Sequence, residues 1–367
     1  MRQKKAFSGN KRKRVALIGA FGGNEPTTTG RTIRTRILYH ELAQRYGREN
    51  VIRISTEVNS GLRLFLRTAI GVSRADIIMP FVSEGGMHLL FPFLGFLARH
   101  TGKKVYNSII GGYIPTVLKK YPRAVRGMRA FEVNWVQMPS MVSELMKAGL
   151  KNAEFLPNAK PYKILARQEL NASRMRPLRV CTFSRVIRDK GIEEAIEAVK
   201  QVNEKGIPVG LDIYGEIYEG YRDTFRMLMR HAPAYVRYCG IVDYHKNVDV
   251  LKKYYLLLFP SVYIAEGFPG TLTDAFFSGT PAIATDWNYN GELLEHGRTG
   301  FLYDPENTGQ LAELLEYALQ NPSLIEEMRL NCIREAQKYT YDIMIRQIFG
   351  KFDMAFSPEK QKEEASL

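Results

Sequence analysis

Two carboxylates eight positions apart, Glu266 and Asp274, are the residues of this sequence best placed for chemistry. An apolar run over 254–260 precedes Glu266 and is typical of a buried strand. A helix is predicted over 271–277, which places Asp274 near its first turn. Glu266 is therefore expected in the loop at the carboxyl edge of a strand, which is where ligands bind in open α/β sheets.

The start of the predicted helix supplies a second chemical feature, its unpaired backbone N–H groups. The first amides of a helix have no partner within the helix, and they attract anions. The amides of Gly270, Thr271 and Leu272 are expected to face such an anion. Amides for phosphate and carboxylates for hydroxyl groups together suit a sugar nucleotide.

Two cations, Arg185 and Lys190, flank a turn between a predicted strand over 178–183 and a helix that begins near Gly191. Positive charge at a helix start opposes the helix dipole, so this placement is unexplained unless an anion lies between the cations. Fixed cations there would neutralise a departing diphosphate and stabilise the transition state. Arg188 is a third cation in the turn, and the sequence leaves open whether it takes part.

These segments resemble the signature of one large family, the retaining glycosyltransferases of the GT-B fold in family 4, also called glycosyl transferases group 1. The family motif is a glutamate, seven residues and a second glutamate, and it is similar to 266–274 of this chain. The family's phosphate motif resembles 184–191, and its pattern continues through 278–284, 291–293 and 297–302.

The resemblance covers roughly residues 178–350, and the first half of the chain only in outline. The chain departs from the family pattern at two places. The second acid of the motif is Asp274, which is one methylene shorter than glutamate. The loop over 286–290 stands where a short glycine-rich turn is usual.

The resemblance implies a role for each matching residue. Glu266 would contact hydroxyl groups of the donor sugar near the reacting carbon, and Arg185 and Lys190 would complete the catalytic set at the diphosphate. Asp274 would accept hydrogen bonds from both ribose hydroxyls. The loop around Ile241 would surround the base. The implied donor-binding set is Asp274, Gly270, Thr271, Leu272, Phe268, Ile241, Gly22 and Gly23.

The acceptor is expected to bind the first half of the chain. Glu84, His88 and Gly112 are the candidate acceptor residues, because they follow predicted strands of that half. Many relatives place a histidine near 109–113, but this chain has none there. We therefore assign no catalytic histidine.

Charge is divided unevenly along the 367 residues. The whole chain carries +14, but residues 1–172 contain 29 Lys and Arg against 10 Asp and Glu, a net of +19. The remainder has 23 basic and 28 acidic residues, a net of −5. The basic half suits nucleic acid, anionic lipid or a phosphorylated acceptor. The apolar stretches 61–70 and 89–97 are interpreted either as core helices or as a membrane-surface patch.

Composition narrows the class of protein further. A hydrophobic content of 45% suffices for two domains with separate cores. The three cysteines are widely spaced and odd in number, which favours free thiols in a reducing cytoplasm. We expect no metal site, no signal peptide and no membrane span, because neither the metal-ligand spacing nor the apolar length is present.

Strand-like and helical segments alternate through both halves, which predicts two doubly wound parallel sheets. The expected domains are a basic tail over 1–13, an acceptor-binding Rossmann-like domain over 14–172, a nucleotide-sugar-binding one over 173–338, and a crossover helix with a tail over 339–367. The fold class is α/β of the GT-B type, which implies a cleft between the two domains and a last helix that crosses back. A linker is predicted over 165–177.

The sequence therefore predicts a cytoplasmic, metal-independent retaining hexosyltransferase. Because the basic half suits an anionic surface, peripheral association with the inner membrane face is a further expectation. The donor would be a UDP- or GDP-sugar, and the acceptor a saccharide or a lipid-linked saccharide of surface polysaccharide or glycoconjugate synthesis. One alternative is a GT-B epimerase, or a phosphorylase, which would need a pyridoxal cofactor. The alternative of another class is a basic nucleic-acid-binding protein, which would need aromatic residues interleaved with Lys and Arg on one platform.

Overall fold

The structure is a computed structural model that describes residues 14–22, 30–57, 60–112, 114–170, 177–307 and 309–356. Two compact units divide the chain. The first contains the described residues up to Val136 together with Ser140–Phe155. The second contains Gln137–Pro139 and the described residues from Leu156 onward. Each unit is built around one six-stranded parallel sheet.

The sheet of the first unit has the strand order β2-β1-β3-β4-β5-β6, and all neighbouring strands are parallel. Its strands are β1 (Val15–Gly19), β2 (Val51–Ser55), β3 (Ile77–Pro80), β4 (Lys104–Ser108), β5 (Val133–Val136) and β6 (Ala153–Phe155). The helices that connect them are α1 (Gly30–Tyr46), α2 (Gly61–Ser73), α3 (Glu84–His100), α4 (Ile114–Lys120), α5 (Pro122–Met128) and α6 (Pro139–Lys147).

The sheet of the second unit has the order β12-β11-β10-β7-β8-β9 and is also parallel. Its strands are β7 (Leu178–Phe183), β8 (Val209–Tyr214), β9 (Val236–Gly240), β10 (Leu257–Phe259), β11 (Ala282–Thr285) and β12 (Gly300–Tyr303). Its helices are α7 (Ile192–Glu204), α8 (Arg222–His231), α9 (Asn247–Leu251), α10 (Gly270–Phe277), α11 (Asn290–Leu293), α12 (Gln310–Gln320), α13 (Pro322–Ala336) and α14 (Tyr341–Phe356).

Strand order reverses once in each sheet. In the first unit β2 is added on one side of β1 and β3 on the other, so the reversal lies between β1 and β3. In the second unit the chain proceeds from β7 through β9 on one side and from β10 through β12 on the other. Crossover helices diverge at such a reversal and leave a crevice at the carboxyl ends of the two strands. In the second unit this crevice lies between the loops that follow β7 and β10.

The central strands are apolar on both faces because helices cover both sides of each sheet. Val180, Leu211 and Ile213 are fully buried in the second unit, and Ile192 and Val199 of α7 pack into the same core. This arrangement explains why these strands read as nearly continuous apolar runs in the sequence.

The predicted fold class is confirmed. All twelve predicted strands are present, with ends within a few residues of the expected positions, and the last helix, expected over 339–356, is α14. The structure differs from the expected division of the chain because 156–170 belongs to the second unit. The reason is a set of contacts within that unit: the Leu165 amide donates to the Phe277 carbonyl, and the Tyr162 hydroxyl to the Tyr244 carbonyl. Part of the predicted linker, 171–176, lies outside the described residues.

A charged network joins three neighbouring strands of the second sheet. Asp212 of β8 accepts hydrogen bonds from Arg179 of β7, from Arg237 of β9 at 2.8 and 2.9 Å, and from the Tyr254 hydroxyl at 2.9 Å. Burial raises the pKa of Asp212, but the hydrogen bonds from Arg237, Arg179 and Tyr254 outweigh it and lower that pKa to about 2. The carboxylate therefore stabilises the fold only while it is ionised.

Asp212→Asn is expected to lower the free energy of unfolding by roughly 3 kcal/mol, because Arg179 would lose its buried partner. The folded pKa lies below the ordinary value of 3.8, so this contribution is complete above that pH and is lost as the pH falls toward 2. Urea unfolding at several pH values measures both effects. The control is Asp223→Asn, an exposed partner of Arg226, which should change stability by less than about 0.5 kcal/mol. Equal effects of the two substitutions would contradict the account.

Candidate active site

The loop after β7 is shaped by one glycine. After β7 the chain passes through a short 3-10 turn over Arg188–Lys190 and reaches Gly191, whose φ is +71°. A Cβ at Gly191 would lie 2.2 Å from the carbonyl oxygen of Pro260, the residue that follows β10. Only glycine allows both this backbone conformation and this close approach. The loops after the two strands at the reversal are therefore held against each other.

The close approach of the two loops brings Lys190 to Glu266. The Lys190 ammonium donates to Oε2 of Glu266, and the side chains are only 7% and 16% exposed. Ser261 Oγ donates to the same carboxylate oxygen at 3.3 Å. The Lys190 Nζ also lies 5.0 Å from the ring centroid of Tyr263. An acid and a cation that the sequence separates by 76 positions thus form one buried pair.

The other two cations of the β7 loop have different surroundings. The Arg185 guanidinium lies 5.4 Å from the ring centroid of Tyr263, and the structure shows no carboxylate partner for it within the described part of the chain. Arg188 is exposed and donates to Glu193 and Glu194 in the first turn of α7, at 2.9 and 2.7 Å. Its charge is matched by α7, whereas that of Arg185 remains available.

Helix α10 begins beside this pair, at Gly270. The Thr271 hydroxyl donates to the Phe183 carbonyl at 2.8 Å, which ties the start of α10 to the end of β7. The Leu272 amide donates to the Pro269 carbonyl at 2.9 Å, so it is already engaged. Of the three amides considered from the sequence, those of Gly270 and Thr271 are the ones at the open start of the helix.

Asp274 is buried on α10 and has two partners that the sequence did not suggest. Lys160 Nζ lies 2.7 and 2.5 Å from the two carboxylate oxygens, and Asn247 Nδ2 donates to one of them at 2.7 Å. Lys160 also lies over the start of α10, since its Nζ is 3.8 Å from the Cβ position of Gly270. Lys160 lies in the irregular segment after β6. The sequence could not identify it as a partner of Asp274, because a single lysine in a loop belongs to no motif.

The other two donor-binding candidates of the second unit, Phe268 and Ile241, have surroundings of their own. Phe268 is buried, and its ring packs against Tyr339 with the centroids 5.7 Å apart. Ile241 follows β9, at the same carboxyl edge of the sheet as Glu266, and its side chain is exposed.

The first unit has its own crevice at the reversal between β1 and β3. A cavity of about 370 Å³ lies there, lined by Ala20, Gly22, Arg31, Thr32, Thr56, Glu57, Leu64, Val82, Ser83 and Gly86. The Glu57 carboxylate accepts hydrogen bonds from the amides of Phe21, at 2.9 Å, and Gly22, at 2.8 Å. Glu57 was missed because a single acid after a strand has no distinguishing pattern. Gly23 lies outside the described residues.

The three candidate acceptor residues are distributed around the same unit. Glu84 begins α3 and lies 3.7 Å from Lys120 Nζ. The ring of His88 packs on Tyr121 with the centroids 4.6 Å apart. Gly112 lies in the bend between β4 and α4. Over the described ranges, no group of three or more His, Cys, Asp or Glu side chains is placed to hold a metal ion.

Most of the second unit is similar in sequence to one family of known proteins. Residues 166–339 match the family model described as Glycosyl transferases group 1. One similar relative is the UDP-N-acetylglucosamine–peptide N-acetylglucosaminyltransferase GtfA subunit of Streptococcus agalactiae, which is 34% identical over 136 residues. That alignment covers 36% of this chain and 26% of the relative, so this chain spans about a quarter of the relative's length.

Similarity to solved structures extends over both units. The crystal structure of Anabaena Alr3699/HepE in complex with UDP has a TM-score of 0.70 at 16% identity and covers 93% of this chain and 99% of that one. Sucrose-phosphate synthase from Thermosynechococcus elongatus has a TM-score of 0.73 at 16% identity, with coverages of 94% and 99%. The two Rossmann-like units thus have the GT-B fold, and residues 166–339 carry the pattern of the group 1 glycosyl transferases.

Proposed function

We propose that this protein transfers a hexose-type sugar from a nucleotide sugar to a saccharide or lipid-linked acceptor, with retention at the anomeric carbon. The observation that carries the proposal is the buried Lys190–Glu266 pair beside the start of α10, at the strand reversal of the second sheet. A fixed cation, helix amides and a carboxylate are the groups that a sugar diphosphate requires. The match of 166–339 to the group 1 glycosyl transferases supports the same reading.

The diphosphate of the donor is assigned to Arg185, Lys190 and the amides of Gly270 and Thr271. The nucleoside diphosphate gains negative charge as it leaves, and preorganised cations and amides stabilise that charge most where water is excluded. Lys190 is buried, and Arg185 is held beside the same Tyr263 ring. Both cations therefore meet the transition state without large rearrangement.

Glu266 is assigned to the sugar hydroxyls near the reacting carbon. The Lys190 ammonium and the Ser261 hydroxyl both donate to Oε2 of the carboxylate, so Oε1 is the oxygen assigned to the sugar hydroxyls. Sequence and structure supply no well-placed protein nucleophile in the described part of this loop. We therefore favour attack from the face that the diphosphate leaves, with the leaving phosphate accepting the proton of the acceptor.

The nucleoside is assigned to the Asp274 end of α10. Asp274 would accept hydrogen bonds from the ribose hydroxyls and share its oxygens with Lys160 and Asn247. Ile241 and Phe268 are the expected neighbours of the nucleotide. UDP is the preferred nucleotide, because the GtfA relative is named for UDP-N-acetylglucosamine and the Anabaena structure contains UDP.

The acceptor is assigned to the basic first unit, with Glu84, His88 and Gly112 as its candidate residues. A net charge of +19 over 1–172 suits an acceptor that carries phosphate, such as a lipid-linked saccharide. The transfer is proposed to proceed without a metal ion, because Arg185 and Lys190 supply the positive charge that a metal would otherwise bring to the diphosphate.

Glu266→Gln is expected to give a folded protein that is less stable than wild type, because the buried Lys190 ammonium loses its charged partner. It is also expected to lower kcat by about a hundredfold or more, because a neutral amide replaces the carboxylate at the reacting sugar. Transfer from a UDP-sugar is measured in excess EDTA, where the wild-type protein should remain active. Glu306→Gln, at an exposed acid of the same unit, is the matched control and should behave as wild type. Turnover of the Glu266 variant within about threefold of wild type would remove Glu266 from the reacting sugar.

Arg185→Ala is expected to weaken UDP binding by roughly 1.5–3 kcal/mol, which is about ten- to hundredfold in Kd, because one charge-assisted contact is lost. Lys190→Ala should weaken it as well, although this change also leaves Glu266 without its cation. Titration calorimetry with UDP measures both. The matched control is Arg188→Ala, since Arg188 is paired with α7. If Arg185 and Arg188 variants bind UDP equally well, the phosphate assignment fails.

Lys160→Met is expected to lower the free energy of unfolding by about 3 kcal/mol, because the buried Asp274 carboxylate loses its cation. UDP should then stabilise the variant more than 2′-deoxy-UDP does, since two ribose hydroxyls can donate to the unpaired carboxylate. Melting temperatures with each nucleotide measure the difference, and Lys163→Met, at an exposed neighbour, is the control. Equal stabilisation by both nucleotides, in wild type and variant alike, would exclude Asp274 from the ribose site.

A further inference from the structure

A long groove runs beside the outer edge of the first unit's sheet. Strand β2 is the last strand on that side, and α2 packs over it so closely that a Cβ at Gly71 would lie 2.5 Å from Ile54 Cδ1. The cavity between them has a volume of about 780 Å³. Its lining is formed by Arg14, Phe21, Glu49, Ile52, Arg53, Ile54, Ser55, Arg67, Ile70, Gly71 and Arg74.

Four arginines line this groove and are not neutralised within it. Arg14, Arg53, Arg67 and Arg74 are exposed, and the lining contains a single carboxylate, that of Glu49. Over the described ranges none of the four guanidinium groups has a carboxylate partner. Arg53 is held in place by aromatic rings, since its Cζ lies 4.5 Å from the ring centroid of Phe21. The groove thus has four positive charges and one negative charge in its lining, a surplus that suits phosphate groups.

The exposed face of α2 adds an apolar stripe beside the arginines. Leu62, Leu66 and Ile70 are 69%, 51% and 61% exposed, and their spacing of four residues places them in one row along the helix. Phe65, by contrast, packs on Phe93 with the ring centroids 5.0 Å apart. Within the stretch 61–70, Leu66 is therefore exposed, whereas the Phe65 ring is packed against a neighbouring helix. Ile70 belongs to both the stripe and the groove.

We propose that the groove and the stripe together form a docking surface for an anionic lipid bilayer. The three aliphatic side chains would enter the boundary between headgroups and acyl chains, and the four arginines would bind lipid phosphates. The four arginines favour an anionic partner. The apolar stripe favours a bilayer over a free phosphate ion, because only the bilayer has an apolar phase in which the three aliphatic side chains can be buried. Over the described ranges no helix is long and apolar enough to cross a membrane.

This inference goes beyond the proposed function, because it names a surface of the first unit that bears on where the reaction takes place. Vesicle binding is measured without turnover, whereas the catalytic assignment is measured with UDP and a UDP-sugar. If the protein binds vesicles but transfers no sugar, only the proposed function fails. If it transfers sugar but does not bind vesicles, only the docking surface fails.

The test is co-sedimentation of the full chain with vesicles of phosphatidylcholine alone or mixed with phosphatidylglycerol. The wild-type protein should bind the mixed vesicles at low salt, be released at high salt and leave the neutral vesicles unbound. Arg67→Glu with Arg74→Glu should lower the partition coefficient at least about tenfold without changing the Kd for UDP. The charge-matched control is Arg222→Glu with Arg226→Glu, at two exposed arginines of α8 in the other unit.

A second variant tests the apolar stripe. Leu62→Ser, Leu66→Ser and Ile70→Ser together should lower binding to mixed vesicles at least about tenfold, with an unchanged melting temperature because the three side chains are exposed. Equal binding to neutral and mixed vesicles, or binding to neither, would overturn the proposal. An equal loss in the α8 control would also overturn it, because binding would then depend on overall charge rather than on the groove. So would full binding by the serine variant, because the apolar stripe would then have no part in binding.

Discussion

The contact on which the candidate site depends is the approach of two loops at the strand reversal of the second sheet. Gly191 meets Pro260 at a distance that no side chain permits, and this places the Lys190 ammonium on the Glu266 carboxylate. Burial makes the pairing obligatory, since either charge alone would be costly to remove from water. The arrangement therefore fixes a cation and an acid together before any ligand binds.

That constraint links the sheet order to the proposed chemistry. Because β7 and β10 are neighbours at the reversal, the residues after them converge at one edge of the sheet. The start of α10 is tied to the same place through the Thr271 hydroxyl and the Phe183 carbonyl. A site assembled from three loop segments, each held by backbone contacts, has the preorganisation that stabilisation of a leaving diphosphate requires.

The sequence could predict the fold well because parallel strands covered on both faces read as short apolar runs between helical segments. It could also single out Glu266, Arg185 and Lys190 as candidates, because their spacing resembles a known family motif, and their roles stay a prediction. It could not predict the pairing of Lys190 with Glu266, since residues 76 positions apart are joined only by tertiary structure. Lys160, similarly, is an isolated loop residue with no periodic pattern.

Exposure was the other property that the sequence could not determine. Helix α2 has apolar residues on more than one face, with Arg63 and Arg67 among them, so its sequence fits a core helix as well as a surface helix. The structure shows that Gly71 and Leu64 pack inward, while Leu62 and Ile70 are exposed. The partners of Arg188 are a comparable case, because the sequence could not show that its side chain reaches Glu193.

The measurement that tests the central claim most directly is the UDP-dependent shift in melting temperature of a Lys190→Met, Glu266→Gln double variant. Both charges are removed together, so no buried charge is left unpaired and the unliganded protein should melt close to wild type. UDP at about 100 times its Kd should stabilise the wild-type protein by about 2.7 kcal/mol and the double variant far less. An unchanged UDP shift in the folded double variant would contradict the account.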